Sequence, residues 1–123
     1  MARIMASLFC LLLIDSAWAG NLGKSIDSLD AAAATMEAKI QLPPGAEPLK
    51  RYTRLYSVES IAGHEVLIAV YVLGWGDSVL KGSRVFLAPA RMPGFYDGGC
   101  SVINVRYRLD TGQFLDVFCN GEA

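Results

Sequence analysis

The residues best equipped to do chemistry are Cys100 and Cys119. Cys100 follows two glycines in the stretch Tyr96-Asp-Gly-Gly-Cys-Ser-Val102. A cysteine there could be a nucleophile, a metal ligand, a redox thiol or half of a disulfide. A structural zinc site needs about four ligands, and these two thiols have only one histidine, His64, to join them. The pair is not spaced as CxxC. A cysteine nucleophile would want His64 as its base, with no motif to support the pairing. A Cys100–Cys119 disulfide is the expected state if the chain reaches an oxidising compartment. It would contribute roughly 3 kcal/mol by restricting the unfolded chain.

The N-terminus bears on that compartment. The chain begins MARIMASLFCLLLIDSAWAG. Arg3 gives a weak positive start, Ala6 to Ile14 form an apolar run, and Ala17-Trp18-Ala19 places small residues at the −3 and −1 positions of a cleavage site. This reads as a secretory signal over residues 1–19, with Gly20 as the first mature residue. The run is too short to span a bilayer, which takes about 20 apolar residues. No stable membrane insertion is expected after cleavage. Cys10 lies too early for a lipid anchor. Cleavage removes it and leaves an even pair of cysteines in a single domain of residues 20–123. The net charge is −1, and no basic patch points to nucleic acid.

Other chemistry-bearing residues have plainer readings. Asp110-Thr111-Gly112 spells the aspartic-protease triplet, but Gln113 follows where such proteases carry Ala or Ser, and a turn accounts for all three residues. His64 sits beside Glu65 at the start of a strand, where alternation points the two to opposite faces. No catalytic residue, metal site or cofactor site is assigned. The candidate binding loop comprises Trp75 between two glycines, Arg91, and Phe95-Tyr96-Asp97 between Pro93-Gly94 and Gly98-Gly99. Aromatic residues at loop tips are over-represented at binding hot spots; the alternative is that they fold back over the sheet. Asn104, Arg106 and Arg108 share one strand face, read as a solvated stripe, with a shallow anionic ligand site as the alternative.

The elements that must position these residues follow from periodicity. Ile26, Leu29, Ala33, Met36 and Ile40 form one apolar stripe of a helix of about 15 residues, capped by Ser25 and ended by Pro43-Pro44. Beyond the linker LPPGAEPLK the period changes to two. Tyr52, Arg54, Tyr56 and Val58 take one face of a first strand; Thr53, Leu55 and Ser57 take the other. Ala62-Gly63 is a hairpin turn. HEVLIAVYVL is the most apolar, β-branched run and reads as a central strand. DSVLKGS reads as a loop or single helical turn. RVFLAP, CSVINVRYRL and QFLDVFCN complete five strands. Pairing Leu109 with Gly112 in the last hairpin places Cys100 diagonally from Cys119, with Gly98-Gly99 free to curl the backbone back. The expected fold is α+β: an N-terminal helix packed on an antiparallel β-meander of about four to five strands, cystatin-like in outline.

From Asp97 onward, DGGCSVINVRYRLDTGQFLDVFCNG resembles the C-terminal half of small exported proteins of Alphaproteobacteria, which share a YTRLY-like strand, a D-G-G-C turn and a closing C-N-G. The resemblance spans Tyr52 to Gly121. It implies an exported bacterial protein with paired cysteines and implies no reaction. The expected function is a non-enzymatic binding or accessory module of the periplasm or cell envelope, periplasmic or secreted, with an envelope or secreted protein as partner. The alternatives are a structural accessory protein without a discrete pocket, or a small hydrolase using Asp97 or His64.

Overall fold

The fold was analysed in a computed structural model, which describes residues 25–75 and 82–121. The segment 1–19 expected to be a signal, the expected mature start 20–24 and most of the DSVLKGS loop lie outside the described residues.

Helix α1 spans Ile26–Lys39. The Ser25 hydroxyl caps it by accepting from the Ser28 amide at 3.3 Å, and Asp27 sits favourably against the N-terminal dipole. The helix ends at Lys39 with Ile40 extended at its C-cap, three residues ahead of Pro43; the proline pair keeps the following segment from continuing the helix. Ala33 and Met36 of the apolar stripe are fully buried, whereas Ile26 at its start is 61 % exposed.

Five strands follow: β1 Thr53–Ile61, β2 His64–Val72, β3 Arg84–Phe86, β4 Val102–Arg108 and β5 Phe114–Cys119. They form one sheet in the order β3-β1-β2-β4-β5, with the apolar β2 at its centre. The β1–β2 hairpin turns at Ala62 and Gly63, which both have positive φ, 52° and 80°. That is the primed-turn geometry whose twist matches the flanking strands.

The class is the α+β expected, with the helix N-terminal to the strands, but the sheet is mixed. β3 pairs in parallel with β1, Leu55 opposite Val85, so the chain crosses from β2 to the far edge instead of meandering. The reason lies in β2. Its two edges are taken by β1 and β4, so the three-residue β3 pairs at an outer edge of the sheet, that of β1.

The helix covers one sheet face. Ala33 and Met36 pack against Tyr52, Tyr56, Leu67, Ala69, Tyr71, Ile103, Val105 and Tyr107. Both halves of the helix are also moored by polar contacts. Glu37 accepts from Arg54, from Tyr56 and from Arg84 Nε at 2.8 Å, and Arg84 also reaches Asp30 at 3.0 Å. Lys39 donates to the Tyr107 hydroxyl at 3.1 Å. Burial opposes the charge on Glu37, yet the hydrogen bonds from Arg84 and Tyr56 and the fields of both guanidiniums outweigh it, so its pKa lies below the ordinary 4.5. Tyr56 and Tyr71, whose hydroxyls meet at 2.8 Å, are held un-ionised well above the ordinary tyrosine range, first by burial.

Candidate functional site

The opposite face of the sheet is covered only in part. Alternation carries Leu55, Val70, Val72 and Val102 to this side, where a second apolar cluster forms. Val85 of β3 extends it, and its cover comes from Trp75, Leu87, Met92 and Phe95. Two members of the expected binding loop, Trp75 and Phe95, therefore pack over the sheet. The other three lie outside this cover: Arg91 and Asp97 are exposed, and Tyr96 is 100 % exposed.

The cover stops short of β5. Register places Val70, Asn104 and Phe118 in one cross-strand row, and Ile68, Arg106 and Asp116 in the next. These six residues line a shallow cavity of about 240 Å³ on the uncovered half of the face. Ile68 and Val70 make its apolar floor. Phe118, 50 % exposed, stands at the outer wall. Arg106 is ion-paired with Asp116 across the strands, so the rim is polar with no net charge. Asn104 donates to Asn120 Oδ1 at 2.6 Å. Asn120 Nδ2 in turn donates to the carbonyls of Phe95, at 2.9 Å, and Asp97, at 3.1 Å. The loop carrying the bare Tyr96 ring is thus moored two residues along from Phe118.

Asn104, Arg106 and Arg108 do share this face, yet they end in different settings. Asn104 and Arg106 edge the cavity. Arg108 grips Asp110 with Nε and Nη2, at 3.0 and 2.7 Å. His64 joins them: its Nδ1 lies 3.1 Å from Asp110 Oδ2 and 2.9 Å from Arg108 Nη2. Arg108 can only donate, so a neutral His64 accepts from it at Nδ1; a protonated ring donates to Asp110 instead. The hydrogen bonds from Arg108 hold the Asp110 carboxyl far below the usual carboxylate range, and those from His64 add to this. Glu65 shares a second open cavity, of about 300 Å³, with His64 and Asp110, lined also by Gly63 and Leu109. Asp97 stands apart from it on the 95–98 loop.

Cys100 and Cys119 form a disulfide with Cα atoms 4.6 Å apart. The path differs from the simple hairpin. Near the turn Tyr107 pairs with Phe114, the expected register, but a bulge at Arg106/Tyr107 shifts the rest and pairs Cys119 with Ile103. Cys100 lies outside the strand, in a 3₁₀ turn over Gly99–Ser101. Gly98 and Gly99 have φ of 106° and 55°, and these left-handed residues turn the backbone back over the end of β5. The Tyr52 hydroxyl fixes this turn by donating to the Cys100 carbonyl at 2.6 Å.

Two groupings escaped the sequence reading. The His64–Arg108–Asp110 cluster depends on β2 lying beside β4, which sets Val66 opposite Arg108. Phe118 and Asp116 join Asn104 and Arg106 only in the bulge-shifted register. The one signal in the sequence was the even spacing of Asn104, Arg106 and Arg108.

Among the described residues, no group of three or more His, Cys, Asp or Glu is placed to hold a metal ion. No helix among them is long and apolar enough to cross a membrane. Comparison with protein-family models, with curated proteins and with solved structures returns no match.

Proposed function

We propose that this chain is an exported, disulfide-stapled, non-enzymatic binding module of the periplasm or cell envelope. Its ligand surface is the uncovered half of the sheet together with Tyr96. The observation that carries this reading is the cavity between the covering loop and Phe118: a shallow apolar floor with an internally neutralised polar rim. Such a surface suits an apolar side chain of a protein partner, held by hydrogen bonds at its rim. A fully exposed tyrosine on a moored loop is a suitable anchor, because its apolar ring carries a polar tip. The Asp110 carboxylate of the His64 cluster is already held by Arg108, so the cluster supports no reaction with comparable force.

The signal-like N-terminus and the Cys100–Cys119 bond support export to an oxidising compartment. Intact mass of the exported protein tests that part: it should start at Gly20 and take up thiol label only after reduction. The binding surface is tested with a photo-crosslinking residue placed in turn at Tyr96, at Ile68 and at the exposed Glu59. Discrete adducts with one envelope or secreted protein are expected from the first two positions and not from Glu59. Equal labelling from all three, or none from Tyr96 and Ile68, refutes the assignment.

A further inference from the structure

The outer edge of β5 is unpaired among the described residues. Its backbone polarity follows from one bond. The Asn120 amide donates inward to the Val102 carbonyl at 2.9 Å. In an antiparallel ladder such inward residues alternate. Phe118 and Asp116 therefore also face β4, while the N–H and C=O groups of Val117 and Cys119 point away from the sheet.

Edges of this kind are usually blunted by shortness, charge or proline. The opposite edge obeys that rule: β3 has three residues and begins with the ion-paired Arg84. β5 does not. It has six residues, FLDVFC, and its single charge, Asp116, is already neutralised by Arg106. Two of the four strongly exposed large hydrophobic residues among those described, Leu115 and Phe118, lie on this strand.

We propose that β5 pairs antiparallel with β5 of a second copy of this chain, in a register centred on Phe118. Four outward backbone groups in each copy match the donors and acceptors of an antiparallel extended strand, and the strand's own sequence specifies which. Centred on Phe118, the pairing sets Val117 opposite Cys119 of the second copy, so the outward groups of both meet. It sets Phe118 opposite Phe118, forming a cross-strand aromatic pair on the open face. It sets Asp116 opposite the uncharged Asn120. A register centred on Asp116 would oppose like charges. One centred on Val117 would need Leu115, the extra residue at the bulge. The resulting two-fold interface is isologous and joins two sheets into one. The paired Phe118 rings then form the common wall of the two cavities.

Sedimentation of the purified, oxidised protein across a dilution series tests this, beside amide exchange measured residue by residue. A dimer is expected, with the Val117 and Cys119 amides protected as strongly as those of Asp116 and Phe118. Val117→Pro removes an outward N–H and leaves the ladder to β4 intact; Phe118→Lys opposes two cations at the symmetry axis. Each should weaken dimerisation by about tenfold or more, with the disulfide and circular dichroism unchanged. A wild-type monomer at all concentrations overturns the proposal, as does fast exchange of Val117 and Cys119 in a dimer. So does a dimer unaffected by either variant. Should one variant fail to fold, the other variant and the wild-type exchange pattern still decide. None of these readouts depends on the Tyr96 and Ile68 crosslinks.

Discussion

Replacing Glu37 with glutamine should cost this protein much of its stability. The carboxylate is the hub of the helix-to-sheet contact. Its side chain is 7 % exposed, and the guanidiniums it joins are 13 % exposed for Arg54 and 23 % for Arg84. Removing one partner of a buried ion pair costs about 3–5 kcal/mol, because the remaining charges stay desolvated. Two features lower that figure. Arg84 keeps Asp30 and some water, and the glutamine oxygen can still accept a hydrogen bond. About 3 kcal/mol remains, a drop in Tm of about 12–24 °C for a domain of this size. Denaturant and thermal melts of the oxidised protein would measure it, with Glu59→Gln on the exposed end of β1 as a control expected to shift by less than about 0.5 kcal/mol. The pH dependence gives a second readout. A carboxylate with a depressed folded pKa adds stability that is present above its ordinary 4.5 and is lost as pH falls through the lower folded value. The gap between wild type and Glu37→Gln should therefore be constant near neutrality and narrow below about pH 4.5. A neutral-pH difference under about 1 kcal/mol, or a gap that ignores acid, would refute the claim that this carboxylate works as a buried charge.

Three further outcomes are expected from denaturant melts. Ser57 Oγ is buried with no hydrogen-bond partner, so Ser57→Ala should stabilise the fold by about 1 kcal/mol; destabilisation would show that the hydroxyl has a partner in solution. Ala62 holds a positive φ of 52° in the β1–β2 turn, so Ala62→Asn, which tolerates that geometry and forms the preferred Asn-Gly pair, should gain about 0.5–1 kcal/mol. Cys100→Ser with Cys119→Ser opens a bridge of sequence separation 19 and should lose about 3 kcal/mol, leaving the far β1–β2 hairpin the slower of the two hairpins to exchange its amides.

Much of the scaffold was legible because it depends on neighbours in sequence. The helix could be read from its 3-4-3-4 apolar steps, its Ser25 cap and its double proline. β2 could be read as central because a run apolar on both faces must be covered on both. The last hairpin could be read from Asp110-Thr111-Gly112, where Gly112 has φ of 69°. The parallel β1–β3 pairing was not legible, since three residues carry too little pattern to name a partner. The bulge opposite Arg106/Tyr107 was not legible either, and it moved Cys119 from the expected register to the side of Ile103.

The sequence by itself determined the elements, the pairing of Cys100 with Cys119 and the even-spaced polar stripe on β4. These rest on local periodicity, on turn chemistry and on a count of cysteines. Only the tertiary structure decided that Trp75 and Phe95 cover the sheet while Tyr96 stands clear, that His64 meets Arg108 and Asp110, and that Phe118 walls a cavity beside an open edge. Each of those facts depends on which strand lies beside which and in what register. A shift of one residue in register turns every side chain to the other face, so a difference too small to alter the local pattern decides what the surface can bind.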